Sequence, residues 1–398
     1  MTITLYKARR FLCLITVASL IIAMCGCSAG TGKALYLSDP VTVTDFKLNT
    51  YVSVASYTTG GYSTSQLKDV LKEALALCDT YELMFSRTKP KGNLYRLNSG
   101  ETDTVPEDLG LLIETGLKYS QLSQGALDIT IGSVSSLWDF TASDPKVPEQ
   151  ERITEALSSV NYNNVTLTRN EDSSYTVTSP PGTVIDLGAI AKGYIADRIK
   201  EFLLEKGINQ AIINLGGNVL CVGSKKDNSS FNIAVKKPFS ENESLETLKI
   251  TDKSVVSSGN YERYFYEEDV LYHHILNPAT GYPVDNGLSD VTIVSDDSLI
   301  GDCLSTTCFA LGLTEGLKLI ENTPGVEAMF VEMNGNITCS SGFSQYRCYI
   351  MNMHFGCRRA GKATDKNINK KEDCHDTYYI NYYSAAHCIC IKPDCLAC

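Results

Sequence analysis

Polar and apolar residues alternate from Thr50 to Tyr57 (TYVSVASY), the period-2 pattern of a strand with one face in a core. From Gln66 to Leu83 the period changes. Leu67, Val70, Leu71, Ala74, Leu75 and Leu77 recur at helical spacing and predict an amphipathic helix. The clearest helix is predicted over Ala189–Lys206, where Ile190, Tyr194, Ile195, Ile199, Phe202 and Leu203 form one stripe and Gly207 supplies the stop. Tyr175–Val177, Gly182–Leu187, Gln210–Leu215 and Phe231–Val235 read as short strands, and the acidic stretch Glu241–Glu246 as a surface loop. No internal repeat is visible, and no Pro/Gly/Ser linker divides residues 41–342. The pattern predicts one mixed α+β unit across that span.

The ends differ from this body. Lys7, Arg9 and Arg10 precede an apolar run from Phe11 to Met24, with no acidic residue nearby, as in a secretory signal. The run is shorter than the roughly 20 residues of a permanent membrane span. It closes on Met24-Cys25-Gly26-Cys27, which resembles a bacterial lipobox. Residues 1–26 are therefore read as a lipoprotein signal peptide, Cys27 as the lipidated residue and residues 27–40 as a tether. The expected location is the extracytoplasmic face of the cell membrane, the alternative being an ordinary signal peptide and a secreted product.

Residues 343–398 are basic, Tyr- and Cys-rich and without sustained period. Cys388, Cys390, Cys395 and Cys398, with His387, have a spacing that could ligate zinc; the reading preferred here is a non-homologous or misread extension. Of fifteen cysteines only Cys78, Cys221, Cys303, Cys308 and Cys339 lie in the body, without CxxC spacing, so no disulfide framework is expected there. The chain carries 35 basic and 46 acidic residues, a net charge of −11, and has no basic stripe, which argues against a nucleic-acid partner.

Familiar catalytic motifs are missing. No GxGxxG follows a strand, which excludes a Rossmann grip; Gly30-Thr31-Gly32-Lys33 lacks the rest of a P-loop; His273 and His274 are adjacent rather than four apart; no GxSxG is present. Four polar, glycine-rich stretches remain. Gly125-Ala126-Leu127-Asp128-Ile129-Thr130 leads to Leu137-Trp138-Asp139-Phe140. Val184 to Tyr194 (VIDLGAIAKGY) reads as strand, glycine turn and helix start, an anion site to which Lys192 adds charge. Tyr272 to Gly281 (YHHILNPATG) places two histidines on opposite sides of an extended chain, so at most one faces a given pocket. In Gly301 to Gly312 (GDCLSTTCFALG), helical geometry puts Asp302 and Thr306 on one face, hard oxygens that suit Mg²⁺.

Together with Leu48-Asn49-Thr50, Phe85-Ser86-Arg87, Leu97-Asn98, Asn214-Leu215-Gly216-Gly217-Asn218 and Ser257-Ser258-Gly259-Asn260-Tyr261, these stretches resemble the ApbE family of bacterial FAD:protein FMN transferases across nearly all of residues 41–342. The resemblance implies an α+β catalytic domain of the ApbE type, with FAD as substrate and Mg²⁺ as cofactor. It also implies transfer of FMN to a Thr or Ser hydroxyl in the flavinylation motif of an acceptor protein, with release of AMP. By the same resemblance His274 is the general base, and Asp302, Thr306 and the Ala189 carbonyl hold the metal. Ser305 stands where some relatives carry a further acid. Leu48, Thr88, Ala126, Leu127, Asp128, Asp186, Lys192, Ile275 and Leu276 would line the FAD site, with Thr88 replacing an aromatic found in relatives. The competing readings are a Mg²⁺-dependent FAD pyrophosphatase and a non-catalytic flavin-binding lipoprotein.

Overall fold

The computed structural model describes residues 34–348 and the backbone of residues 377–379. The chain opens with a hairpin, β1 (Tyr36–Lys47) and β2 (Thr50–Thr58), whose two-residue turn holds Leu48 and Asn49 at φ 54° and 57°. Helix α1 (Thr64–Phe85) follows, capped reciprocally by Ser63 and Gln66. Next come α2 (Asn93–Asn98), β3 (Thr104–Val105), α3 (Glu107–Leu122), the one-turn α4 (Gly132–Ser135), α5 (Gln150–Leu157), β4 (Thr166–Arg169) and β5 (Tyr175–Thr178). Helix α6 (Ala191–Glu205) leads into β6 (Ala211–Leu215), β7 (Asn218–Val222), β8 (Phe231–Lys236), β9 (Ser244–Ile250) and β10 (Ser254–Gly259). A hairpin of β11 (Tyr264–Glu267) and β12 (Val270–His273) precedes β13 (Leu288–Ser295), α7 (Ser298–Glu321), β14 (Glu327–Glu332) and β15 (Ile337–Cys339); Thr377–Tyr379 forms β16.

Eight strands make the central sheet in the order β1-β2-β6-β7-β10-β13-β14-β15, every neighbouring pair antiparallel. This is a mixed αβ fold unlike the parallel, doubly wound Rossmann sheet. Both faces of the sheet are covered. Helices α1, α6 and α7 bury one face, where Val54, Ile213, Leu220, Ile293 and Phe330 point, and the β8–β9 layer buries the other, with Ile212, Cys221, Val294, Met329 and Phe343. A sheet covered twice favours apolar residues at consecutive positions, which is why β6 and β7 lack a polar alternation, while β13 buries Ser289, Asp290, Thr292 and Ser295 among its apolar residues. A third cluster, Val134, Trp138, Ile153, Phe265 and Leu276, seats the β11–β12 hairpin against α4 and α5.

Helix α7 is apolar enough to span a membrane by composition, yet Cys303, Leu304, Cys308 and Phe309 are fully buried in the core. It breaks at Gly312 (φ 80°, ψ 176°), a left-handed position only glycine adopts without strain. Its N-terminus meets α6 at closest range at Gly193, where a β-carbon would lie 2.4 Å from the Ser298 carbonyl oxygen and 2.8 Å from the Asp302 β-carbon. Backbone cannot step aside as a side chain can. Gly193→Ala is therefore expected to destabilise the fold by about 1–3 kcal/mol, checked by urea denaturation against the parent protein; unchanged stability would show that α6 and α7 can part freely.

Four expectations change. Residues 182–187 are not a ladder strand: they are extended but contribute only one bridge, Val184 to Ile131, and spend their other backbone groups on loop partners. Glu241–Glu246 is not loop throughout, since β9 begins at Ser244. The segment read as a tether to residue 40 already contains the start of β1 at Tyr36. At the other end, Phe343 is fully buried, Arg347 pairs with Glu246 at 3.2 Å, the Cys348 N–H donates to Thr247 O, and β16 pairs parallel with β8. The packed unit thus extends past residue 342. Cys27 and the cluster Cys388–Cys398 lie outside the described residues.

Candidate functional site

The IDLG stretch between residues 185 and 188 is a hub. Asn98 clamps Ile185 through both backbone groups, its amide donating to Ile185 O (2.9 Å) and its oxygen accepting from Ile185 N–H (2.9 Å). Asp186 N–H donates to Ile129 O, and Gly132 N–H to Val184 O, which ties the GALD stretch alongside. The Asp186 carboxylate accepts from Arg87 Nε at 2.8 Å, Ser135 Oγ at 2.7 Å and Gly188 N–H at 2.9 Å. Arg87 also reaches Ser136 Oγ. Three segments, around residues 87, 135 and 186–188, are thereby fixed around one carboxylate.

Immediately downstream, the chain enters α6 and meets α7. The Gly193 N–H donates to Asp302 Oδ2 at 2.8 Å. Gly193 is the third residue of α6, and the N–H groups of a helix's first turn have no carbonyl of their own helix to serve, so Asp302 supplies the partner that this donor would otherwise lack. Asp197, one turn further along α6, caps α7 by accepting from Ser298 and Leu299 N–H, both at 2.9 Å. Asp302 is buried, and loss of hydration raises its pKa, opposed by the charge of Lys192, the Gly193 bond and the neighbouring Asn218. On the next turn of α7, Ser258 Oγ lies 2.9 Å from Ser305 Oγ and 3.2 Å from Thr306 Oγ1. These donors are hard oxygens supplied with a single carboxylate. That set fits Mg²⁺, which keeps waters and phosphate oxygens in its shell, better than a metal needing an all-protein cage. Among the described residues no group of three or more His, Cys, Asp or Glu side chains is arranged to hold a metal.

Histidines 273 and 274 diverge as extended geometry requires. His273 is buried: its Nε2 lies 3.0 Å from Val284 O, its Nδ1 accepts from Ile275 N–H, and its ring meets Phe309 edge-on. It is a core histidine. His274 is held by its N–H to Arg263 O (3.1 Å), and its Nδ1 is buried with no hydrogen-bond partner. Its pKa falls to about 3, through loss of hydration first and then the positive fields of Arg263, His273 and Lys192. Lys192 therefore acts on both Asp302 and His274, and the three belong to one electrostatic centre.

The other predicted positions divide. Ile275 and Leu276 are buried beside His274, and Leu276 bridges to Pro283. Leu48 is half-buried at the β1–β2 turn; a β-carbon on Gly216 of the β6–β7 turn would strike Thr50, so both turns sit at one end of the sheet. Ala126 is half-buried and Leu127 is in the main core. Asp128 is buried, and its carboxylate accepts from Thr130 N–H and Oγ1 and from Tyr162 N–H, which fixes the shape of its loop. Thr88 is exposed, its hydroxyl 3.0 Å from Ser86 Oγ. Sequence reasoning assigned no role to Arg87, Ser258, Glu262 or Arg263; the SSGNYER and FSR stretches held the signal, but the partner groups come from distant segments.

The model of the ApbE family matches residues 48–330. An FAD:protein FMN transferase of Klebsiella pneumoniae (strain 342) is 38% identical over 239 residues, covering 60% of this chain and 73% of that protein. One from Treponema pallidum (strain Nichols) is 30% identical over 293 residues, covering 70% and 81%. Among solved structures, the ApbE protein of Thermotoga maritima superposes with a TM-score of 0.69 at 30% identity, over 78% of this chain and all of that one. The flavin transferase ApbE of Vibrio cholerae does so with a TM-score of 0.67 at 23% identity, over 79% and 99%, a likeness of fold.

Proposed function

The chain belongs to the ApbE family, and from that premise we propose that it is an FAD:protein FMN transferase. The observation that carries the reading is the junction of α6 and α7 at the Gly193–Asp302 bond, with Lys192 in the same turn of α6 acting on both Asp302 and His274, whose buried Nδ1 has no partner. FMN would pass from FAD to a Thr or Ser hydroxyl of an acceptor protein: the hydroxyl oxygen bonds to the FMN-side phosphorus, the P–O bond to the AMP phosphate breaks, and AMP leaves.

Each residue has a task in this scheme. Lys192, in the first turn of α6, binds the diphosphate, helped by the positive end of the helix. Asp302, Thr306 and the Ala189 carbonyl would hold Mg²⁺, which when bound supplies charge neutralisation for the phosphates. His274 takes the hydroxyl proton. Its low pKa keeps the imidazole neutral in the free protein, so its lone pair is ready at neutral pH. A diphosphate beside Lys192 and Arg263 offsets the positive fields that suppress its basicity, so the base strengthens when substrate arrives. The Asp186–Arg87 pair, with Leu48, Thr88, Ala126, Leu127, Ile275 and Leu276, is proposed to shape the flavin site, and Asp128 to support it from behind.

We also propose that Cys27 carries a lipid anchor on the extracytoplasmic face of the membrane. The experiment for the activity uses residues 28–398, which retain Phe343 and Arg347. Incubation with FAD, Mg²⁺ and a domain bearing a flavinylation Thr or Ser should add one FMN, less water, to the acceptor by intact mass. Free FMN without adduct would make the protein a pyrophosphatase, and unchanged FAD a binder.

A further inference from the structure

Hydroxyl groups join strand β10 to helix α7 where the two pack. Val256 and Ser258, two apart on β10, share a face, and α7 comes up to it through Gly301, where a β-carbon would lie 2.9 Å from Val256 Cγ2. One turn along α7, the fully buried Ser305 donates its hydroxyl to the Asp302 main-chain oxygen at 3.1 Å. Ser258 Oγ lies 2.9 Å from Ser305 Oγ and 3.2 Å from Thr306 Oγ1, and by distance either hydroxyl of each pair can donate.

Counting protons removes the ambiguity. Each hydroxyl owns one proton, and the contacts from Asp302 O through Ser305 and Ser258 to Thr306 need one each. A carbonyl oxygen only accepts, so the Ser305 proton is spent on Asp302, and Ser305 Oγ accepts from Ser258. The Ser258 proton is spent in turn, so Ser258 Oγ accepts from Thr306. Any other assignment leaves a contact without a hydrogen. The relay therefore begins at the hydroxyl that shares a helix face with the Asp302 carboxylate.

We propose that Ser258 is a positioning residue for the metal site: it takes the hydroxyl proton of Thr306 and leaves the lone pairs of that oxygen to Mg²⁺. The inference rests on the flavin transferase reading above. A threonine oxygen binds a cation through a lone pair, with its proton directed elsewhere. Helical threonine divides between two rotamers, and a hydroxyl proton without a fixed acceptor can turn into the space the cation needs. Ser258 removes that freedom for Thr306, and Ser305 removes it for Ser258. Ser257, next in the strand, serves the opposite face, its hydroxyl 2.8 Å from Thr292 Oγ1.

The test is calorimetric titration of MgCl₂ into residues 28–398 saturated with FAD, without acceptor. Ser258→Ala should bind Mg²⁺ about tenfold more weakly than the parent protein, the scale on which hydrogen bonds to a ligand side chain set metal affinity. Ser258→Thr, which keeps the hydroxyl, should bind as the parent does, and so should Ser257→Ala, which loses a hydroxyl bond on the other face. In the transfer assay the Mg²⁺ concentration giving half the maximal rate should rise about tenfold in Ser258→Ala, while the rate at saturating Mg²⁺ stays within about threefold of the parent. A role limited to holding β10 against α7 would lower the thermal midpoint without moving Mg²⁺ affinity. Unchanged Mg²⁺ affinity in Ser258→Ala, or an equal weakening in Ser257→Ala, would overturn the proposal while leaving the flavin reading intact. Absence of Mg²⁺ binding by the parent protein would overturn it together with the metal in that reading.

Discussion

Asp302→Asn is expected to lower FMN transfer by about 10³-fold, a loss of roughly 4 kcal/mol of transition-state stabilisation. Asparagine is the informative replacement because it separates two jobs of one side chain. The amide oxygen can still accept from Gly193 N–H, so the α6–α7 junction keeps the 2.8 Å bond of the parent protein. What disappears is the only carboxylate in the donor set with Thr306, Ser258 and Ala189. Asp302→Ala removes both, and leaves the Gly193 donor buried and unpaired, at about 1–3 kcal/mol of stability in addition. The thermal midpoint should therefore fall in the alanine variant and hold in the asparagine variant, while both lose transfer. EDTA should reproduce the asparagine phenotype in the parent protein, and added Mg²⁺ should reverse it. Full transfer by Asp302→Asn, or by the parent in EDTA, would remove the metal from the scheme.

The junction that Asp302 serves shows where sequence information ends. Periodicity located α1 and α6 because each buries one stripe against the sheet and exposes the other, and the 302/306 spacing follows once α7 is helical. The extended course of Gly182–Leu187 was also legible, but its partners were not. A strand and a clamped loop have the same backbone shape, and the Asn98 amide that replaces a neighbouring strand lies 87 residues away. Arg87 and Asp186 are 99 residues apart, so nothing local in either segment announces their pair. Asp128, which the family resemblance puts at the FAD site, also closes its own turn through Thr130, a local bond that the Asp-x-Thr pattern makes legible. The β8–β9 layer, which covers the second face of the sheet, was visible only as one strand and an acidic segment, because its inner face alone is apolar and its pairing is non-local.

Replacing His274 by alanine is expected to lower FMN transfer by about 10²–10⁴-fold while changing FAD affinity by no more than a few-fold. The imidazole makes no hydrogen bond through Nδ1 in the structure, and the backbone bond to Arg263 O survives the substitution, so neither the hairpin nor the FAD contacts lose a partner. The pH profile distinguishes a base from a spacer. In the free protein His274 titrates near 3, far below the ordinary value for histidine, so kcat/KM should show no inflection near pH 6.5. The profile for kcat reports the complex, where the diphosphate offsets Lys192 and Arg263; its acid limb should move toward neutrality and should be absent from the residual rate of His274→Ala. The sign follows from the role: a base must be unprotonated, so protonation of His274 in the complex stops transfer as pH falls. Transfer within threefold of the parent rate in His274→Ala would assign the proton to another acceptor. An unchanged acid limb in that variant would place the titrating group elsewhere.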